Sequence, residues 1–428
     1  MLAIVVAIME VEFFFPDSLD QVNPYFNFIT EQYPKHRIRQ RDDVYAHEIL
    51  KSTPYDGILL SKAMVDGSDK GGSRSSGKYS AAMTQRLYRE GVSKFFRLQK
   101  NGQNLMSMGD CGAFTYFAKY EPVYTVKEVV DFYEVLGFDR GVSLDHIIFT
   151  RKPEGETSDE RDKDEREMLR DHKRRFELNH KNAEEFISEV QKRGNPFVPV
   201  GAAHGWNAET RKESFLVLQD LGFNHISLGG MVRRPAEDVI EALQLISEVK
   251  KETTKLHLLG ITKLRHMSDF LQHGVTSIDS TTPLRQAFMD EKDNYWIKNE
   301  RFTAIRVPQV DASPTFKRKI RSGSVDQGVA LTSERECMEL LRHYDVGKVN
   351  LDNVLNALYE YELLWGGKEQ RLERYRRILE AKPWKTCKCG ICDEIGIEVA
   401  MFRGAERNRR RGFHNLSVFR QELEDSLK

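Results

Sequence analysis

His225-Ile-Ser-Leu-Gly229, Leu256-His-Leu-Leu-Gly260 and Val275-Thr-Ser-Ile-Asp279 are three short apolar runs, and residues 236–252 and 263–273 between them carry a helical pattern. Each run has the length and near-continuous apolarity of a strand buried in a parallel sheet. Strand, helix, strand, helix, strand points to an α/β fold. Toward the N-terminus the same kind of run recurs. Gly57-Ile-Leu-Leu-Ser61, Phe95-Phe-Arg-Leu-Gln99, Asn104-Leu-Met-Ser-Met108, Gly141-Val-Ser-Leu-Asp145 and Phe197-Val-Pro-Val-Gly201 bring the number to eight, with further helical patterns at 125–136, 183–193 and 208–221. Eight strands alternating with helices predict a (β/α)8 TIM barrel. The runs at 95–99 and 104–108 stand too close for a helix between them, and a doubly wound sheet is the alternative.

Two stretches interrupt the pattern. Residues 151–182 are dense in mixed charge and read as a solvated insertion running into a charged helix. Residues 66–80 are rich in Gly, Ser and Lys and read as a loop at the barrel mouth. Within it, Gly72-Ser-Arg-Ser-Ser-Gly77-Lys78 comes close to a nucleotide-binding P-loop, but Tyr79 stands where Ser or Thr must hold magnesium. Arg74 and Lys78 are better suited to touching a phosphate backbone. Met1 to Ile8 is apolar but short, and Glu10 and Glu12 follow. It reads as a strand, because a signal peptide wants a basic start and a membrane span needs about 20 apolar residues. After residue 290 come polar segments and then helices at 351–364 and 369–381. The expected organisation is a catalytic barrel over 1–384, with the two insertions, and a metal-binding subdomain with a C-terminal helix over 385–428.

The chain of 428 residues balances 65 Lys and Arg against 65 Asp and Glu, so any nucleic-acid binding must rest on local patches. Five cysteines, three of them within six residues, make a poor disulfide framework and a good metal site. The expected compartment is the cytoplasm. Thr386-Cys-Lys-Cys-Gly-Ile-Cys392 places three thiolates on one tight turn, and His414 is the one histidine after Cys392. Cys387, Cys389, Cys392 and His414 thus make the four N/S ligands of a closed, structural zinc site.

In (β/α)8 proteins function gathers at the C-terminal ends of the strands. Asp110, Asp145 and Asp279 close runs three, four and eight. His204 follows run five, and Gly229-Gly230 end run six. Carboxylates on one rim suit glycosidic-bond chemistry, where one attacks or stabilises a sugar C1′ and another moves a proton.

The order of these pieces resembles the tRNA-guanine transglycosylase family over roughly residues 95–290 and 385–428. A strand-end Asp110-Cys-Gly-Ala-Phe-Thr115 comes first, then Gly229-Gly230, then Ile278-Asp279 with Pro283-Leu-Arg285, then the Cys3His tail. The resemblance implies a barrel that exchanges a guanine in a nucleic acid for a free 7-deazaguanine. It implies Asp279 as nucleophile, Asp110 as general acid/base, Asp145 as reader of the base's N–H edge, and Gly229 and Gly230 as backbone contacts to the base. The chain departs from the family's usual Asp-Ser-Gly-Gly-Phe-Gln at Asp110–Thr115, and has His204-Gly-Trp206 where Gln-Gly-Gly is usual. His204 then stands where an amide would read the base.

These departures, with Phe13-Phe-Phe-Pro-Asp-Ser-Leu-Asp-Gln-Val22 and the 66–80 loop, look more like the DNA-acting, DpdA-type branch of 7-deazaguanine modification clusters. That branch implies DNA as the polymer, a 7-cyano-7-deazaguanine precursor as the incoming base, and a partner ATPase from the same system. A homodimer with no membrane contact is the expected assembly. Exchange in tRNA and a non-catalytic nucleic-acid-binding subunit are the alternatives. Arg285 and the basic strip Arg407, Arg409, Arg410 and Arg411 are the expected phosphate contacts. The target guanine must leave the stack before C1′ is attacked, so flipped-base or single-stranded recognition is expected.

Overall fold

A computed structural model describes the chain except residues 1–10, 68–76, 100–101, 103, 150–157, 233, 262, 290–291, 368–369 and 428. The strand expected at Met1–Ile8, the Arg74 stretch and the first part of the 151–182 insertion lie outside the described residues. The chain divides into two compact units. One comprises the residues up to Leu19, Tyr55–Thr281 and the last few from Asp425. The other comprises Asp20–Pro54 and Thr282–Glu424. The Cys387–His414 tail therefore shares its unit with residues 20–54 and 282–384, which were expected to belong to the barrel.

The first unit is a closed, all-parallel barrel. Its strands are β1 (Glu12–Pro16), β2 (Gly57–Ser61), β3 (Met106–Asp110), β4 (Arg140–Val142), β5 (Val198–Ala203), β6 (His225–Leu228), β7 (Lys255–Leu258) and β8 (Val275–Asp279). Register Phe14↔Asp279 between β1 and β8 closes the ring. Seven of the eight expected runs coincide with strands. The run at 95–99 does not. Phe95 ends a helix, and Phe96 and Leu98 are buried in the turn behind it. That apolar run records a helix end packed into the core, which period-2 reading cannot tell from a buried strand. Glu12–Pro16 takes the place in the barrel, which also removes the helix-less joint.

Six helices, α1 (Ala81–Phe95), α2 (Val126–Leu136), α3 (Ser158–Lys192), α4 (Ala208–Asp220), α5 (Ala236–Ser247) and α6 (Met267–Gln272), lie between successive strands from β2 to β8. Their ends are set locally. Thr125 and Glu128 form a capping box at α2, which stops at Gly137 with φ +69°. Asn207 caps α4 by accepting from the Thr210 amide at 2.9 Å. The charged 151–182 stretch is helical from Ser158 as part of the 35-residue α3.

Inside the ring, Phe14, Leu59, Met108, Val142, Val200 and Ala202 form a packed plug. Polar residues at the strand C-termini therefore stand on a solid floor. The second unit is mainly helical, with α7 (Gln327–Asp345), α8 (Leu351–Trp365), α9 (Gln370–Ala381) and most of α10 (Gly404–Ser426). No helix among the described residues is long and apolar enough to cross a membrane.

Candidate active site

The barrel brings Asp110, Asp145, His204, Gly229, Gly230 and Asp279 to the C-terminal ends of their strands, within one unit. Asp110 is the last residue of β3. Its Oδ2 accepts from the Gly112 amide at 2.9 Å. Burial, then the charges of Asp145 and Asp279, push its pKa up to about 7. A carboxyl so placed exchanges a proton near neutrality.

Asp145 is buried and both its oxygens are held. Oδ1 accepts from the Cys111 thiol at 2.9 Å and Oδ2 from His204 Nε2 at 2.7 Å. Tyr116 donates its hydroxyl to Cys111 Sγ at 3.0 Å and to the Asp145 carbonyl at 3.2 Å. Burial raises the Cys111 thiol well above its usual range, so it stays protonated and serves as donor. With Nε2–H given to Asp145, His204 Nδ1 is an acceptor, and it is buried without a partner among the described residues. The ring lies close against the end of β6. A Cβ on Gly229 would meet His204 Cε1 at 2.2 Å, and Gly230 has φ +73°, so both positions call for glycine.

Asp279 ends β8. Its Oδ1 accepts from the Gly260 amide at 2.8 Å and from His257 Nε2 at 3.1 Å. Ser277 Oγ lies 2.8 Å from His257 Nδ1 and, in that tautomer, donates to it. Neither bond reaches Oδ2. The carboxylate is thus pinned through one oxygen while the other is left for chemistry.

Four participants escaped the sequence reading. Cys111 and Tyr116 hold Asp145, and His257 holds Asp279. Asp17, just past β1, is a further rim carboxyl. It accepts from Tyr79 at 2.8 Å, and burial pushes its pKa up to about 6. His257 did leave a signal, a histidine inside an otherwise aliphatic buried run.

In the second unit, Cys387, Cys389, Cys392 and His414 present ligand atoms that all lie within 4.8 Å of one another. His414 Nδ1 stands 3.4, 3.5 and 3.4 Å from the three sulfurs. A tetrahedral metal with the usual zinc–sulfur and zinc–nitrogen bond lengths has N···S edges of about 3.5 Å, so the donor set fits such an ion. His414 Nε2 donates to the Trp296 carbonyl at 2.6 Å, which turns Nδ1 toward the thiolates. The Tyr295 ring stacks on His414 at 4.5 Å and its hydroxyl meets Cys392 Sγ at 3.3 Å.

The basic strip is corrected by its surroundings. Arg407, Arg410 and Arg411 are buried. Arg407 pairs with Glu398 at 2.6 Å and Glu31 at 2.5 Å. Arg410 pairs with Glu406 and donates to the Asn23 carbonyl at 2.6 Å. Arg411 donates to the carbonyls of Ala287, Val399 and Met401. These guanidinium groups are turned into the fold and cannot track phosphates. Arg409 is half-buried and donates to the Gln21 carbonyl at 3.3 Å, and Arg285 is exposed.

Compared with known proteins, the chain matches no protein-family model. It is 45% identical over 423 residues to a DNA-guanine transglycosylase of Salmonella montevideo, a span covering 98% of this chain and 98% of that protein.

Proposed function

The chain belongs to the DNA-guanine transglycosylase family, and on that premise we propose that it exchanges a guanine base in DNA for a free 7-deazaguanine through a covalent intermediate on Asp279. The observation that carries this reading is the pairing of two differently tuned carboxyls on one rim. Asp110 is poised to hold a proton near neutrality, and Asp279 is pinned by one oxygen only.

In the first half-reaction Asp279 Oδ2 attacks C1′ of the target nucleotide. A C–O bond forms, the C1′–N9 bond breaks, and its electron pair leaves on guanine. The Asp110 carboxyl supplies the proton that makes guanine a neutral leaving group. In the second half-reaction the incoming base gives its N9 proton to the Asp110 carboxylate and attacks C1′, and Asp279 leaves as carboxylate. Asp145 and His204 read the base edge, with the Gly229-Gly230 backbone beside them. In the tautomer that donates Nε2–H to Asp145, His204 offers Nδ1 as an acceptor, where the family's usual amide offers both a donor and an acceptor. The incoming base is a 7-cyano-7-deazaguanine precursor, and a partner ATPase serves the same modification system. We assign the Cys3His cluster to zinc. When bound, zinc ties the Cys387–Cys392 turn to α10, which is a folding role.

The test is nucleoside mass spectrometry on cells that carry the protein with its modification system. A 7-deazaguanine in DNA digests, absent when the Asp279→Asn variant replaces the wild type, is the expected result. Its appearance in tRNA alone overturns the DNA assignment, and its absence from both overturns base exchange.

Asp110 also predicts a pH dependence. Its protonated form is the one that releases guanine, so kcat/KM should fall as pH rises through about 7. Asp110→Asn should lower turnover by about 10²–10⁴-fold and remove that limb. The stability effect runs in the same direction. The folded state binds this proton more tightly than the unfolded chain, so stability falls as pH rises from the ordinary carboxylate range through about 7. Above that pH the Asn variant should melt no lower than the wild type. A lower melting temperature there, or an unchanged pH profile, counts against the assignment.

A further inference from the structure

Beside the carboxylates, the loops after β3 and β4 carry an aromatic patch that the chemistry above leaves unused. Phe114 is 50% exposed, Phe117 39% and Tyr120 71%, an unusual density of large rings in water within seven residues. Phe117 meets Phe149 edge-to-face at 5.2 Å, and Phe114 meets Phe149 at 6.2 Å with the rings nearly perpendicular. Pairs of this kind leave ring faces uncovered by each other. Arg174 of α3 lies over the Tyr120 ring, 3.9 Å from its centre. Arg170, one helical turn earlier on the same face, and Lys173 are exposed.

The patch is tied to the site. Arg175 donates to the carbonyls of both loops, Phe117 and Ile147, each at 2.9 Å, and its Nε to Asp171 at 2.7 Å. Phe114 follows Asp110 by four residues, and Phe149 follows Asp145 by four. The loops that carry the proton donor and the base reader thus also carry the rings.

We propose that Phe117 and Tyr120, backed by Phe149 and Arg174, form a stacking platform for the unpaired nucleotides next to the exchanged guanine, so that the polymer bound is single-stranded or locally opened DNA. This rests on base exchange in DNA as read above. Exposed aromatic rings, here with a guanidinium seated on one face of Tyr120, are the groups that hold unstacked bases and their phosphates without reading sequence. When the guanine is withdrawn toward Asp110, its chain neighbours lose their stacking partner, and the platform replaces it. The patch is dominated by rings and cations, with Asp171 paired to Arg174 at 2.6 Å and Leu169 the exposed aliphatic neighbour on α3.

The experiment uses the full chain and a single-stranded oligonucleotide with 2-aminopurine beside the target guanine. The wild type should quench the probe on binding. The Phe117→Ala/Tyr120→Ala variant should lose the quench and raise KM for DNA by about tenfold with kcat nearly unchanged. The Phe117→Leu/Tyr120→Leu pair keeps the apolar bulk, so it should fold normally and show the same two losses. Unchanged quench and KM in the folded Leu pair overturn the platform. So does a shift in oligomeric state in place of the quench, which makes the patch a contact between copies. Failure of base exchange itself shows separately, as a wild type that places no base in DNA in the nucleoside assay above.

Discussion

Asp279→Asn is expected to lower base exchange by at least about 10³-fold, the scale seen when an enzyme loses its nucleophile. Asn keeps the shape and one carbonyl oxygen for the Gly260 amide and His257 Nε2, which now hold Oδ1 at 2.8 and 3.1 Å. What it loses is the charge at Oδ2, the oxygen free to meet C1′. A neutral amide neither attacks nor stabilises an oxocarbenium-like carbon. DNA carrying a label at the target nucleotide should run with the wild-type chain on a denaturing gel as a covalent adduct. With Asp279→Asn the adduct should be missing, while metal content and melting temperature stay as in the wild type. Turnover within tenfold of the wild type would mean that another group attacks.

Cys389→Ser should have the second large effect, on folding. Structural zinc sites in small domains contribute apparent binding energies of about 10–16 kcal/mol, and that energy is folding energy. Cys389 is buried, as are Cys392 and His414. Losing one thiolate leaves two sulfurs and an imidazole facing one another without the ion that joins them. Bound zinc, measured by elemental analysis, should drop from one per chain to well below half, and protease should cut between 387 and 414. A variant that holds a full zinc ion and resists cleavage would show that three ligands suffice and that this cysteine is not one of them.

The barrel is legible in the chain because its strands are buried on both faces and stand out as short apolar runs. The misplaced run at 95–99 fails for the same reason, since Phe95, Phe96 and Leu98 are buried without being a strand. Asp110, Asp145 and Asp279 are legible because an apolar run that stops at a carboxylate marks a strand end. Their partners are not. His257 belongs to Asp279 through adjacent strands, and Cys111, which follows Asp110 in the chain, turns out to serve Asp145. Such pairings depend on strand register, which local pattern does not encode. The arginine-rich stretch misleads for a related reason. Its partners Glu31 and the Asn23 carbonyl come from a distant part of the chain, so a run of cations reads as surface when it is interior.

That interior placement bears on how the protein's affinity for a polyanion should respond to ionic strength. A buried arginine that is already neutralised condenses no counterions from a polymer and releases none on binding. Arg407 and Arg410 therefore add nothing to the salt slope, although they are four-square part of the formal positive charge of the tail. Their protein-facing pairs are ones whose rupture strands a charge in a low-dielectric interior, so losing either arginine is a loss of architecture. Any electrostatic pull on a polyanion has to come from cations that remain hydrated, and on α3 Arg170 and Lys173 are of that kind.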